Sequence, residues 1–470
     1  MADPRARGGG RPGGRPPRRA TVDPARLAAY DVLRAVRVED AYANLVLPRV
    51  LRQHGLTGRD AAFTTELVSG AVRRQGTYDL VVDACLAKPR LEAKVRDVLR
   101  LGVHQLFAMR VPTHAAISTS VDLTRARVGV GPAGLVNAVL RRVAETDHAG
   151  WVRRLAPDPG TDPDGFSAVA HAHPRWVVAA LREALAAGGR GDELEALLDA
   201  DNAPPRVVLV ARPGHAGVDE LLAAGGERGR WSPHAVELAG GEPSAVSAVA
   251  EGRAGVQDEG SQLVALALAA ADTAGGDERW LDLCAGPGGK AALLAALAPA
   301  AGARLLASER QPHRAALVAH GTRAVRDGLV GVVAADGTAP AWRPGAFDRV
   351  LVDAPCSGLG ALRRRPESRW RRTADDLDAL VPLQRTLLGS ALDATRPGGV
   401  VLYATCSPVL AETAGVVSDV LAARDDVRLE DAAPLLPQLA DAAGPLAGTL
   451  QLWPHRHGTD AMFLALLRRG

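Results

Sequence analysis

The chain has 470 residues, 47% apolar and 23% charged. That balance excludes wholesale disorder and a fibrous repeat, and at roughly 150 residues per domain it also excludes a single small module. No apolar run nears the roughly 20 residues that cross a bilayer, and four cysteines are too few for a disulfide scaffold, so a reducing, cytoplasmic setting is expected. Net charge is only +3, yet residues 1–150 hold 24 basic and 14 acidic side chains, which leaves −7 for the rest. Such asymmetry fits a polyanionic partner bound through phosphate counterion release, or a solvated basic face.

In chain order, residues 1–21 are Gly, Pro and Arg in low complexity, with Arg where a secretory leader needs an apolar run. They are expected to form a disordered basic tail. Over residues 22–150 apolar positions recur at three- and four-residue steps, as in Val95, Val98, Leu99, Gly102, Val103 and Leu106, which predicts an all-helical domain. The stretch APDPGTDPDG at 156–165 reads as a linker. Residues 165–255 read as a small mixed α/β domain, with a strand at Arg206–Ala211, a short helix at Val218–Ala224 and further short elements over Val246–Val256.

From residue 256 to 470 the pattern becomes strand, loop, helix, repeated. WLDL, RLLASE, VGVVAAD, DRVLVDAP, VVLYATC and the closing run Met462–Leu467 are the strands, with a helix expected near 380–395. This alternation implies a mostly parallel sheet covered on both faces.

The chemistry-bearing residues cluster where these strands end. Trp280–Leu283 runs into Cys284, Ala285, Gly286, Pro287, Gly288, Gly289 and Lys290. Glycines at a strand-to-helix turn let a ligand approach the backbone, and the following helix start offers free N–H groups. The spacing matches neither GxGxxG nor a P-loop. Glu309 ends the next strand twenty residues past Gly289, the position of a ribose-hydroxyl acceptor in doubly wound nucleotide sites. Asp336 and Asp353 end two further strands. Together these acids suit a ligand with a ribose and a cationic amine, although each alone also suits a helix cap or turn.

Of the four cysteines, Cys85 and Cys284 read as small buried hydrophobes. Cys356 in DAPCSG and Cys406 in ATCSP follow strands into Pro/Ser/Gly loops at the same edge. No CxxC or His cluster accompanies them, so no metal site is expected. Lysine occurs only at 88, 94 and 290 among 56 basic residues, which adds weight to Lys290. Arg363, Arg364 and Arg365 follow the first cysteine loop, with Trp370 nearby. A basic segment with an aromatic suits single-stranded RNA, or a plain charged surface loop.

The motifs CAGPGGK, SER, ADGT, DAPCSGLG and YATCSP, with VQDEGSQL at 256–263 and a closing HGTDAMFLALL, resemble the RNA cytosine-5 methyltransferases of the RsmB/Sun/NOP group. The helical third is similar to NusB-type RNA-binding domains in RDAAFTTELVSGAVRRQGTYD, VRDVLRLGVHQLFAM and LVNAVLRRV. That pairing is the one found in 16S ribosomal RNA (cytosine-5) methyltransferases of bacteria.

The resemblance implies a Rossmann-like domain with a mostly parallel seven-stranded sheet, S-adenosylmethionine as cofactor and ribosomal RNA as partner. It implies Cys406 as nucleophile and Cys356 in product release. The loop Cys284–Lys290 would hold the methionine end of the cofactor, Glu309 the ribose, and Asp336 a place beside the adenine. Asp353 would face the active centre, on the cofactor or on the cytosine edge. Pro174, Arg175 and Trp176 look like a short RNA-contacting element of the family. Two departures from the family pattern are Ala291, where Thr is common, and Ala461 in the closing motif. Transfer RNA or large-subunit RNA remain alternative substrates, and a non-catalytic RNA-binding assembly or antitermination factor is the non-enzymatic alternative.

Overall fold

The computed structural model describes residues 22–88 and 90–470. The expected basic tail, residues 1–21, lies outside them. The chain forms two compact units. The first takes in residues 22–41, 45–71 and 81–148, and the second residues 42–44, 72–80 and 149–470.

Every described regular element before Val208 is helical, so the three- and four-residue periodicity reads correctly. Helix Pro24–Val38 begins where Asp23 accepts from the Ala25 N–H at 3.1 Å and Pro24 takes the first turn, a position where its missing donor costs nothing. Helix Ala93–Phe107 buries Val95, Val98, Leu99, Gly102 and Val103. Leu106 of the predicted face is only half-buried.

In the second unit, helices Pro163–Ala170, Arg175–Ala187 and Leu194–Asn202 come first. The supposed linker at 156–165 contains a helix start, because Asp162 caps Gly165 N at 2.9 Å. A four-stranded antiparallel sheet follows, built from β1 (Val208–Ala211), β2 (Gly226–Arg228), β3 (Ala235–Leu238) and β4 (Ala254–Val256) in the order β2-β3-β1-β4. The sequence reading missed β2 and β3. They are three and four residues long and too short to show a period.

The main sheet comprises β5 (Arg279–Asp282), β6 (Arg304–Glu309), β7 (Leu329–Ala334), β8 (Phe347–Asp353), β9 (Thr395–Thr405), β10 (Val427–Glu430), β11 (Leu450–Gln451) and β12 (Phe463–Arg469). Its order is β10-β12-β9-β8-β5-β6-β7, with β11 paired to β12. The expected seven strands are therefore eight, the extra one being a two-residue strand that pairs beside the path. Strands β9, β8, β5, β6 and β7 run parallel; β12 pairs antiparallel with β9, and β10 and β11 in turn pair antiparallel with β12 at that side.

Side chains alternate across this sheet as a period of two requires. Trp280, Leu351 and Leu402 pack against helices Glu259–Ala270 and Gly289–Leu297 on one face. Leu281, Val350, Val352 and Val401 pack against helices Asp376–Ala394 and Ala414–Ala422 on the other. Covering both faces leaves the carboxyl ends of the parallel strands as the open crevice, where ligands bind in such sheets.

Candidate active site

Register brings the two loop cysteines together. Strands β8 and β9 pair in parallel with Asp353 opposite Ala404, so the chains leave the sheet side by side, one toward Cys356 and the other toward Cys406. Their sulfurs lie 3.5 Å apart, and both residues are partly exposed on the wall of a cavity of about 600 Å³. Gly360 locks the first loop onto the second. Its N–H donates to Cys406 O at 2.9 Å, and its carbonyl accepts from Ala461 N at 2.8 Å. A Cβ there would stand 2.2 Å from Ala461 O, so only glycine allows this approach.

The two thiols are electrostatically unequal. The Cys356 thiol hydrogen-bonds the Cys406 sulfur and holds its pKa below the ordinary thiol range; burial and the Asp353 carboxylate oppose this, and the Lys290 and Arg365 cations assist. Cys356 is pushed well above that range by the same bond and by burial. When the pair gives up a proton, Cys406 is therefore the sulfur that carries the charge and Cys356 the one that stays a thiol. Lys290 donates to Asp353 Oδ2 at 2.8 Å. Burial works against its ammonium, but the Asp353 carboxylate outweighs that and raises its pKa.

Of the residues expected at the site, Cys284, Ala285, Gly286, Pro287, Gly289, Lys290, Glu309, Asp336, Asp353, Cys356, Arg364, Arg365 and Cys406 all line this one cavity. Gly288 does not; at φ +113° it presses on the Val318 backbone, where a Cβ would come to 3.0 Å. Asp336 lies two residues past β7 and accepts from Thr338 N and Oγ1 at 2.9 and 2.7 Å, bonds that lower its pKa. Cys284 is pushed well above the ordinary range by burial and packs with the core.

The three arginines of the 363–365 run are held in different ways. Arg363 is buried; it donates to Gly458 O at 2.8 Å and pairs with Asp460 at 3.6 Å. A guanidinium directed inward to satisfy buried acceptors is not free for phosphate, so Arg363 is a structural residue here. Arg364 lines the cavity but is held by Asp258 at 2.6 Å and Asp460 at 3.2 Å. Arg365 is exposed, and its guanidinium sits 5.1 Å from the Tyr42 ring centroid, with Arg371 at 5.0 Å. Pro174, Arg175 and Trp176 start helix Arg175–Ala187, where Arg175 pairs with Asp162 at 2.7 Å. None of the three lines the cavity.

The cavity also includes residues that the sequence reading passed over: Asp282, Arg314, Gln257, Asp258, Asp460, Tyr42 and Asn44. Asp282 had a signal, as the last residue of the strand before the Gly-rich loop. Gln257 and Asp258 lie in VQDEGSQL and Asp460 in HGTDAMFLALL, motifs noted in the sequence without a role for these residues; Arg314, Tyr42 and Asn44 come from segments that only folding assembles.

Known proteins resemble the chain over most of its length. The profile of the 16S rRNA methyltransferase RsmB/F family matches residues 268–468 and that of the NusB family residues 23–145. The ribosomal RNA small subunit methyltransferase B of Pseudomonas putida is 34% identical over 87% of this chain and 91% of its own. The chain belongs to the RsmB/F family.

A Mycobacterium tuberculosis protein with a provisional methyltransferase name is 53% identical to this RsmB/F-family chain over 97% of it and 99% of its own length. The crystal structure of PH0851 shares the fold at a TM-score of 0.77, with 22% identity over 96% of this chain and 99% of its own. As an RsmB/F-family protein this chain is an RNA methyltransferase that uses S-adenosylmethionine. No helix among the described residues is long and apolar enough to cross a membrane.

The residues present fit that cofactor. Asp282 is completely buried on the cavity wall, and neither carboxylate oxygen meets a well-aligned donor. Burial first, and then repulsion from Asp353, push its pKa up to about 8, which Lys290 and the Cys284 N–H only partly offset. Such a group suits a ligand cation. Glu309, 5% exposed, is pinned by Gln311 N at 2.9 Å. A Cβ on Gly286 would stand 2.0 Å from Glu309 Oε2, so this glycine leaves the carboxylate its room at the cavity.

Proposed function

We propose that this RsmB/F-family enzyme transfers a methyl group from S-adenosylmethionine to carbon 5 of a cytosine in 16S ribosomal RNA, through a covalent adduct on Cys406. The observation that carries the reading is the thiol pair, 3.5 Å apart, unequal in acidity, on the same cavity wall as the Gly-rich loop and the strand-end carboxylates.

Carbon 5 of cytosine is a weak nucleophile. Addition of the Cys406 thiolate to carbon 6 forms a C–S bond and moves electron density onto carbon 5. S-adenosylmethionine, when bound, would supply an electrophilic methyl on its sulfonium for carbon 5 to take, the S–CH3 bond breaking so that S-adenosylhomocysteine is the leaving group. Loss of the carbon 5 proton then lets the ring expel Cys406 as a thiolate, which restores the enzyme. Cys356, held protonated beside it, is the residue assigned to product release. The base must leave its stack to reach these sulfurs.

On the protein side, Asp282, Glu309 and the loop Cys284–Lys290 would bind the cofactor, with Asp336 at its adenine end. Lys290 and Asp353 are one ion pair beside the thiols, close enough to orient a base edge or the cofactor. Arg365 and Arg372, on the cavity wall with Tyr42, supply charge and an aromatic face for single-stranded RNA.

Methyl transfer from labelled cofactor onto unmethylated 16S RNA tests the proposal, with large-subunit and transfer RNA as competitors. Cys406→Ala is expected to abolish transfer, and Cys356→Ala to accumulate an RNA–protein adduct that survives denaturant. Full activity in the Cys406→Ala protein would overturn the nucleophile assignment, and equal labelling of all three RNAs would overturn the substrate assignment.

A further inference from the structure

Glu412 sits in a single 3-10 turn, Leu410–Glu412, after β9, and is fully buried. A carboxylate out of water is costly unless donors meet it. Here they do: Ser357 N donates to it at 2.7 Å, Ser357 Oγ at 2.5 Å, Ser407 Oγ at 2.6 Å and Gln384 Nε2 at 3.0 Å. The origin of these donors is the informative point. Ser357 directly follows Cys356, and Ser407 directly follows Cys406. Gln384 also donates to Pro355 O at 2.9 Å, on the other side of Cys356. The backbone carbonyl of Glu412 accepts from Tyr403 OH at 2.8 Å, which anchors the turn to β9 itself.

We propose that Glu412 is the positioning residue of the thiol pair: one carboxylate ties the chain after Cys356 to the chain after Cys406 and so sets the separation of the two sulfurs. It makes no hydrogen bond to either sulfur and does not line the cavity, so its geometric hold runs through Ser357, Ser407 and Gln384, while its charge also helps to keep the Cys356 thiol protonated. The inference rests on the reading in which both cysteines act in turn, but it concerns geometry that can be measured without RNA. Hydrogen bonds to a charged acceptor are about twice as strong as neutral ones. A buried carboxylate with four donors is therefore a stiffer tie than two loops packed alone. The Cys356 thiol lowers the Cys406 pKa only while it reaches that sulfur, so a loosened tie costs both alignment and thiolate.

The test uses the full chain and dibromobimane, which fluoresces when both of its arms react with neighbouring thiols; the Cys356→Ala protein gives the background. Glu412→Gln turns one acceptor into a donor facing donors. It is expected to slow bridging about tenfold or more and to lower methyl-transfer kcat by roughly 100-fold, the scale of an ångström-level misplacement. KM for the cofactor should stay within about twofold, because that pocket is formed by other loops. The pH profile of Cys406 alkylation by iodoacetamide should move up toward an ordinary thiol.

Should Glu412→Gln fail to fold, Ser357→Ala and Ser407→Ala each remove one tie and leave the carboxylate other donors; both should show the same changes to a smaller degree. Folded variants that bridge at the wild-type rate with an unshifted alkylation profile would overturn the proposal. Loss of bridging in a protein whose wild type methylates no RNA would uphold the positioning role and refute the functional reading instead.

Discussion

Asp282 offers a measurable link between proton and cofactor. Its carboxyl is buried and pushed up to about 8, so at neutral pH the free protein holds it mostly protonated. A bound ammonium beside it favours the ionised form, and binding must then expel the proton. Each pH unit below about 8 should weaken binding by about 1.4 kcal/mol, or roughly tenfold, down to the model-peptide range of the acid. Between pH 7.5 and 6 the dissociation constant of S-adenosylhomocysteine should rise by more than an order of magnitude. Calorimetry in buffers of different ionisation enthalpy should find close to one proton released at pH 7. Asp282→Asn should bind weakly with no slope over the same range, and its melting temperature would confirm that it folds. A flat profile with no proton release in the wild type, or the same slope in the Asn variant, would refute the reasoning.

Gly286→Ala places a Cβ 2.0 Å from Glu309 Oε2; cofactor affinity should fall by roughly 100-fold, since an ångström-scale shift at the site is costly, as thermal stabilisation by S-adenosylhomocysteine would show. Asp201 is 1% exposed and raised to about 7, chiefly by burial. The folded protein holds a proton there that the unfolded chain has lost, so Asp201 costs stability increasingly as pH rises from about 4 to about 7. Urea unfolding of Asp201→Asn should therefore show it gaining up to about 4 kcal/mol relative to wild type across that window, three units at about 1.4 kcal/mol each. Arg364→Met leaves Asp258 and Asp460 facing each other with only Arg363 near, and should destabilise by about 3 kcal/mol at pH 8. The loss should shrink below pH 6, because Asp460 is raised to about 6 by burial and by Asp258 and protonates there.

The sequence by itself determined the helical first third, the strand–helix alternation after residue 256 and thirteen of the residues that line the cavity, the Gly-rich loop, the strand-end acids and both cysteines among them. These are local properties. A period of 3.6 or 2, a Gly-rich turn and an acid or cysteine at a strand end are all written within a few consecutive positions. Tertiary structure decided what depends on pairing. The 3.5 Å approach of Cys356 and Cys406 follows from the β8–β9 register, and their difference in acidity from that approach. The inward turn of Arg363 follows from Asp460, ninety-seven positions away in the chain. The placement of Asp282 without an aligned donor, and of Glu412 between two serines, likewise needed segments that no local pattern relates. Charge and hydrogen bonding act across space, and a linear reading sees a residue's type before it can see its neighbours.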